Sequence, residues 1–468
     1  MASMRLTRWQ LGTVGVTMLA AACAGSPSAA PPSSTPSTAP SSARSLLAAS
    51  TWPTSTWPQY HRLADRNGDG GSSLPVLTGG LAKAWTATLD GAVYGAPVLV
   101  GSTTIAVTEH DTVYGLTTST GRVVWKRHLG TPVPLSAQAC GNIDPLGITG
   151  TPAYDPSSGS LFLVTETTGG VHTLWALTAS TGAVRWHRGL DVLSNRDKRT
   201  EQQRAALLVT SGRVLVSFGG HAGDCGNYVG YITSVATSGS GATTHYAVPT
   251  GREAGMWAAG GPVVGPHGLV YVAVGNGSST GGSYDGSDSI IALNPTTLQR
   301  TAYFAPSSWA ADNARDLDLG SMAPAPVSGK IVTAGKRGVV YLLGPSLGGI
   351  GHQLASLSGC MAFGGAAVRG SIVYLPCQDG LRALRVGTSS LSWAWRRAGV
   401  PGSPVVAGNV VYALDPSNQR FYELSLSSGG VLRSLGLGVA ISRFATPTIA
   451  DGGRTILVGT MRGVIAVR

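Results

Sequence analysis

The amino-acid sequence predicts an all-β fold: an eight-bladed β-propeller with four-stranded antiparallel blades, closed into a ring by an N-terminal strand. Three observations support this prediction. One stretch of the chain contains a four-strand pattern, the pattern recurs eight times, and a complementary strand precedes the first recurrence. The composition agrees, because 66 glycines, 43% hydrophobic residues and 12% charged residues suit an all-β chain with many tight turns.

The four-strand pattern is clearest between residues 95 and 129. Runs of β-branched and aromatic residues at 96–100, 104–108, 113–116 and 123–127 are separated by Gly, Ser, Thr and Asp. Each run is too short for a helix, so the segment predicts a four-stranded antiparallel sheet. One such sheet cannot bury both of its faces alone, so it requires neighbours of the same kind.

The start of the first strand recurs at spacings of 38 to 62 residues. The short spacings match one four-stranded blade, and the long ones imply inserted loops. The eight starts, counted on the third residue of each, are Pro97, Pro152, Leu207, Pro262, Pro324, Ala366, Pro404 and Pro447.

The eighth repeat lacks one strand, because only the runs 456–460 and 463–467 follow its start. Residues 81–87 resemble a fourth strand, with Trp85 at the position of the repeated tryptophan, and they precede blade one. We therefore expect residues 81–87 to form the outer strand of blade eight. This pairing would remove the open edge that an unclosed ring leaves.

Residues 1–23 have the pattern of a targeting segment, in which Arg5 and Arg8 precede an apolar stretch ending at Cys23. The segment resembles an actinobacterial-type lipoprotein signal, which implies that Cys23 is lipidated. Residues 24–56 are rich in Ser, Pro, Ala and Thr and predict a disordered linker to a propeller at 57–468. We expect an exported protein, lipid-anchored on the outer face of the cytoplasmic membrane; the alternative is simple secretion.

Two features that could indicate other ligands have simpler explanations. The net charge of +11 is not concentrated in a basic cluster with interleaved aromatics, so we expect no nucleic-acid partner. Residues 65–70 resemble the start of a calcium-binding loop, but the twelfth position is Val76 instead of the expected Glu. This segment predicts an Asx/Gly turn.

Four cysteines besides Cys23 predict disulfides, because an even number in an exported chain favours pairing. In a blade, the loop entering the first strand and the loop joining the second and third strands lie on the same face. Cys140 and Cys225 lie in such loops of blades two and three, and Cys360 and Cys377 in blade six. Of the three possible connectivities, Cys140–Cys225 and Cys360–Cys377 fit best.

The same rule brings loops of blades two to five together at one mouth of the channel. The polar and aromatic segments 219–227, 252–257 and 275–288, together with Lys336, all open onto this face. Convergent polar groups in a concavity predict a binding site for a small molecule or a protein partner.

The repeats, with Gly-x-Pro starts and Thr-Gly-x-x-x-Trp ends, resemble the pyrroloquinoline quinone (PQQ) propellers across residues 81–468. Blades three to five are more narrowly similar to the quinoprotein alcohol dehydrogenases. The resemblance implies PQQ and calcium as cofactors and a role for each of five residues. These are Trp257 beneath the quinone, Lys336 at its oxygens, Asn276 and Asp224 as calcium ligands, and Asp288 as the catalytic base.

Two functions follow from these observations. The first is a non-catalytic platform that binds a ligand or a protein. The second is a PQQ- and calcium-dependent dehydrogenase that oxidises an alcohol or a sugar, in which Asp288 takes the substrate proton. The family's vicinal cysteines and calcium-binding Glu are absent, which favours the first. Lys336 and Asp288 also fit simple turn positions, and Trp257 fits loop packing.

Overall fold

The computed structural model describes residues 56–468, which form eight four-stranded antiparallel sheets arranged as a propeller. The predicted fold class is confirmed. In blades one to seven the four main strands follow one another in chain order, whereas the outer strand of blade eight comes from the N-terminal side of blade one. Among the described residues, no helix has the length and apolar character needed to cross a membrane.

The strands of the first four blades and then of the last four have the following bounds. Blades one to four contain Val98–Val100, Thr103–Val107, Thr112–Thr117 and Val123–His128; Ala153–Asp155, Ser160–Thr167, Val171–Thr178 and Val184–Gly189; Leu208–Thr210, Arg213–Gly220, Tyr231–Ala236 and Thr244–Ala247; and Val263–Val264, Val270–Val274, Ser289–Leu293 and Arg300–Ala305. Blades five to eight contain Ala325–Val327, Lys330–Ala334, Val339–Leu343 and Ala355–Ser358; Ala367–Arg369, Ile372–Cys377, Gly380–Val386 and Leu391–Ala398; Val405–Ala407, Val410–Asp415, Arg420–Ser425 and Val431–Gly436; and Thr448–Ala450, Thr455–Thr460, Gly463–Val467 and Lys83–Thr88.

Short strands and helices lie in the loops between the main strands of the ring. Two additional strands, Glu201–Gln202 and Gly349–Ile350, extend blades three and four. The remaining elements are one short α-helix and four single-turn 3₁₀ helices: Trp309–Asn313, and Leu135–Ala137, Lys198–Thr200, Pro266–Gly268 and Asp451–Gly453.

The repeated Thr-Gly and Trp pattern joins neighbouring blades. Gly182 has a φ of +69°, and a β-carbon placed there would lie 2.5 Å from the ring of Trp125 in the preceding blade. Gly121 of blade one meets Trp85 in the same way, at 2.4 Å. Glycine is therefore required at both positions for two reasons: the backbone is left-handed, and the tryptophan ring leaves no room for a β-carbon.

The ring is closed as the sequence predicts. Lys83–Thr88 pairs antiparallel with Gly463–Val467 and completes blade eight as its outer strand. The hydrophobic residues of blades seven, eight and one form a continuous cluster across this junction. The closing strand thus shields an edge that would otherwise expose unpaired backbone groups.

Residues 57–71 cross the channel, and we call them the plug segment. Its backbone bonds to the first strands of several blades, through pairs such as Trp57 with Leu99 and Gly68 with Val406. Its side chains are buried as well: His61 binds the carbonyl of Ala366 and the hydroxyl of Thr446, 3.1 and 3.0 Å away. The plug segment therefore ties blades together that are far apart in the sequence.

The predicted Asx/Gly turn lies within the plug segment and is confirmed. The side chains of Asp65, Asn67 and Asp69 each accept a hydrogen bond from the backbone N–H two residues later, at 3.2, 2.9 and 2.7 Å. Asp69 also pairs with Arg369 of blade six. These side chains are engaged with protein groups, which accounts for the segment without a calcium ion.

Both predicted disulfides are present. Cys140–Cys225 joins the face loops of blades two and three with a Cα–Cα distance of 6.1 Å, and Cys360–Cys377 spans 5.0 Å within blade six. They close separations of 85 and 17 residues. By chain entropy, such loops restrict the unfolded chain by about 3 to 5 kcal/mol each. Cys23 lies outside the described residues.

Candidate functional site

A cavity of about 610 Å³ opens at the face of the propeller where the first-strand loops and the second-to-third-strand loops meet. Its walls come from these loops in blades one to six and eight. Tyr94, Arg204 and Phe444 line both this cavity and a small space beside Tyr60 of the plug segment. The plug segment therefore forms a floor, and the cavity is a pocket that ends within the channel.

Four of the five residues predicted for the site line this cavity: Asp224, Trp257, Asn276 and Lys336. Asp288, the fifth, does not line it and is buried behind its wall, with 1% of its surface exposed. The topological rule that brings these loops to one face thus agrees with the structure.

Trp257 reaches the cavity because glycines leave room for it. A β-carbon on Gly219 would lie 3.0 Å from the β-carbon of Trp257, and one on Gly275 would lie 3.3 Å from the indole Nε1. Both glycines follow or end the second strand of a blade. The Lys336 Nζ lies 5.4 Å from the centroid of the Trp257 ring, so the ring contacts a cation.

Lys336 is held by two carboxylates that the sequence analysis did not identify. Its Nζ lies 2.5 Å from Asp316 Oδ1 and 2.8 Å from Asp318 Oδ2, and Asp318 is completely buried. Burial raises the pKa of Asp318 to about 6, while the charge of Lys336 opposes this rise. Burial lowers the pKa of Lys336, but Asp318 and Asp316 raise it above its usual value overall. Lys336 is therefore a cation at neutral pH.

Asp288 has the environment of a neutral acid. Its Oδ1 accepts a hydrogen bond from the Leu319 N–H at 2.6 Å, and its Oδ2 has no hydrogen-bond partner among the described residues. Burial, and next the nearby charge of Asp318, raise its pKa well above the usual value. This environment favours the protonated carboxyl at neutral pH, whereas a general base must be ionised.

The donor atoms around the cavity do not fit the calcium ion that the family resemblance implies. Calcium takes six to eight oxygen ligands in proteins. Asp224 Oδ1 is engaged by the Tyr228 hydroxyl at 2.6 Å, and Asp316 and Asp318 are both paired with Lys336. Asn276 and the second oxygen of Asp224 are the predicted calcium ligands that stay free of these contacts, so we derive no catalytic step through a calcium-bound quinone.

A cationic aromatic wall faces the cavity and was not predicted. Arg443 has its guanidinium 3.9 Å from the Phe363 ring centroid, and Phe444 lies between Arg443 and Arg204, at 5.9 and 5.3 Å. Within residues 56–468, neither arginine forms an ion pair. These residues lie in loops that enter the first strand of a blade. All such loops open onto the face that carries the cavity, so considering them in every blade would have indicated these residues.

Comparisons with known proteins match this architecture. The PQQ_2 family model, described as outer membrane protein assembly factor BamB, matches residues 78–265. Comparison with curated protein sequences gave no match.

Solved structures extend the likeness to most of the chain. The quinohemoprotein alcohol dehydrogenase ADHIIG from Pseudomonas putida HK5 has a TM-score of 0.70 at 16% identity, covering 89% of this chain and 80% of that one. The corresponding enzyme from Comamonas testosteroni has a TM-score of 0.68 at 18% identity, covering 88% and 80%. BamB from Moraxella catarrhalis has a TM-score of 0.56 at 17% identity, covering 83% and 97%. The predicted resemblance to PQQ-like propellers is confirmed; at these identities the structures show the fold alone.

Proposed function

We propose that this PQQ-like propeller is a binding module whose cavity takes a small anionic ligand that carries an aromatic ring. Its fold occurs in dehydrogenases and in an assembly factor, so the fold cannot distinguish catalysis from binding. The observation that carries the proposal is the pair of arginines, Arg204 and Arg443, that line the cavity beside aromatic rings and form no ion pair within the described residues.

The chemistry of this wall suits such a ligand. A guanidinium group binds carboxylate or phosphate through charge-assisted hydrogen bonds and stacks on aromatic planes. Trp257, Phe363 and Phe444 offer the apolar surface, and 610 Å³ lies within the usual range of small-molecule sites. Lys336 already has two acidic partners, so the unpaired arginines are the cations that a ligand would neutralise.

We also propose that the protein is exported and held through a lipid on Cys23 at the outer face of the cytoplasmic membrane. The targeting pattern of residues 1–23 and the two disulfides support this location, because disulfides persist in oxidising compartments. The mass of the N-terminal peptide from the membrane fraction checks it. A chain recovered only in the soluble fraction, with an unmodified N-terminus, would contradict the anchor.

The ligand proposal can be tested with PQQ itself as the probe, because PQQ is planar and carries three carboxylates. We expect saturable quenching of tryptophan fluorescence when PQQ is added to the purified protein without calcium. Trp257→Ala should lose about 1–3 kcal/mol of binding free energy, as the loss of an aromatic stacking partner costs elsewhere. Arg443→Gln should weaken binding about tenfold or more, because a charge-assisted hydrogen bond is lost.

Arg396→Gln is the matched control for the arginine. Arg396 also lies over an aromatic ring, that of Trp393 at 5.3 Å, but outside the cavity. We expect this variant to bind as the parent does. If PQQ does not bind, or if Arg443→Gln and Arg396→Gln bind equally well, an anion site at this wall is excluded for this probe.

A PQQ-dependent dehydrogenase is the second candidate, because Trp257, Asn276 and Lys336 line one cavity as the resemblance implies. The same titration distinguishes it from a binding module. A dehydrogenase requires calcium-dependent tightening of PQQ binding and dye-linked turnover on a panel of alcohols and sugars. Binding that is indifferent to calcium and gives no turnover supports the module.

A further inference from the structure

A second group of ionisable side chains lies between blades two and three, and its members do not line the cavity. His172 belongs to the third strand of blade two, and Asp191 follows the fourth. Glu201 belongs to Glu201–Gln202, which pairs with the end of the second strand of blade three. One nitrogen or oxygen of each of these three residues lies within 4.8 Å of the others. The topology thus brings three metal-ligand types together from two blades.

One atom in this group has no hydrogen-bond partner within the described part of the chain. It is Glu201 Oε1, on a side chain that is 2% exposed. The other Glu201 oxygen accepts a hydrogen bond from the Tyr231 hydroxyl at 3.1 Å, which fixes the carboxylate. The Nδ1 of His172 lies 2.8 Å from Asp191 Oδ1, so a nitrogen and an oxygen of the group face each other. Buried polar atoms are normally paired, so Glu201 Oε1 is the atom that a bound cation would satisfy.

The group is also rich in carboxylates. Three carboxylates, those of Glu166, Asp191 and Glu201, surround His172, and Glu166 lies 3.3 Å from both His172 and His221. The nearest lysine, Lys198, lies 3.8 Å from Asp191 and is 42% exposed.

We propose that His172, Asp191 and Glu201 bind one divalent transition-metal ion of the zinc class. One imidazole and two carboxylates form a mixed nitrogen and oxygen set that suits zinc or manganese, whereas calcium prefers oxygen alone. His172 and Glu201 are closed to solvent, whereas Asp191, at 21% exposure, faces the route of entry.

The position of the site gives it a consequence for the cavity. His221 lines the cavity, and its Nε2 lies 2.9 Å from the Glu201 carbonyl and 3.3 Å from Glu166. Its Nδ1 lies 2.7 Å from the carbonyl of Cys140, beside the disulfide between blades two and three. An ion on Glu201 would therefore fix the same wall segment that the disulfide fixes.

The test uses the full chain, stripped with a chelator and reloaded with Zn²⁺. We expect one zinc per chain after gel filtration, measured by mass spectrometry of the metal, and a higher melting temperature than the stripped protein. Glu201→Gln should lose the bound zinc and the rise in melting temperature together. The affinity should fall by more than the 10–100-fold that loss of an outer-shell partner typically costs.

His187→Gln is the matched control, because His187 lies on the neighbouring strand of blade two and is exposed. It should bind zinc as the parent does, which excludes adsorption to surface histidines. Asp191→Asn, at a partly exposed position, provides a second variant should Glu201→Gln fail to fold. Zinc recovered below one ion per chain in the parent, or retained with parental affinity by Asp191→Asn and Glu201→Gln, would overturn the proposal.

Discussion

A chain that begins after Asp90 should aggregate or melt far below the parent. This truncation removes Lys83–Thr88, so Gly463–Val467 becomes an unpaired edge strand. It also removes the plug segment, whose backbone hydrogen bonds reach first strands from blade one to blade seven. The loss of stability combines an exposed strand edge with an open channel, and we expect it to be a large fraction of the ~5–15 kcal/mol by which a domain is normally stable. Circular dichroism melts and size-exclusion chromatography measure it.

Two longer chains separate the contribution of the closing strand from that of the plug segment. A chain beginning at residue 56 retains every described residue and should melt like the parent. A chain beginning at residue 81 retains the closing strand but lacks the plug segment, so it should melt between the other two. If the chain beginning after Asp90 is monomeric and melts like the parent, the closing strand is not needed for stability.

Lys336→Met should destabilise the protein by an amount near the low end of about 3–5 kcal/mol, the cost of breaking a buried ion pair from one side. Asp318 is completely buried and would lose the cation that lies 2.8 Å from its Oδ2. The low end applies because Lys336 keeps 21% exposure. Lys330→Met is the control, because Lys330 is in the same blade and forms no ion pair within the described chain. Urea denaturation measures both.

The stability that Lys336→Met loses should depend on pH in a defined direction. The folded pKa of Asp318 is already raised to about 6, and removal of Lys336 raises it further. A carboxyl with a raised folded pKa holds its proton more tightly in the native state, so its contribution to stability is present at low pH and is lost as pH rises. The difference between Lys336→Met and the parent should therefore be small near pH 5 and largest above about pH 8. Equal differences at both pH values would exclude Asp318 as the cause.

The blades could be predicted from the sequence because their signals are local and repeated. Each strand lies within a few residues of its partner, and the turn glycines recur with the tryptophans that they contact, as Gly182 does with Trp125. The closing strand was predictable because Trp85 preserves that pattern outside the recurring region. The disulfides followed from the same topology, once the loops had been assigned to a face.

The plug segment and the cationic wall could not be predicted in this way. The plug segment binds through backbone groups to strands as distant as Val406, and such pairing leaves no periodicity in the sequence. Arg204 and Arg443 are single residues in irregular loops, where only the fold brings them to one wall. The partnership of Asp318 with Lys336 is similar, since it joins two loops of blade five whose distance depends on the folded blade.

The closing strand imposes an order on biosynthesis. Residues 83–88 form the first strand of the propeller to be made, whereas their partner, residues 463–467, forms the last. Blades one to seven can pair their strands as they emerge, because their partners are close in the sequence. The N-terminal segment must wait through the synthesis of every blade with its hydrogen-bonding groups unsatisfied. The ring therefore closes only after its last strand has been synthesised, and until then the nascent propeller has two unpaired strand edges to protect.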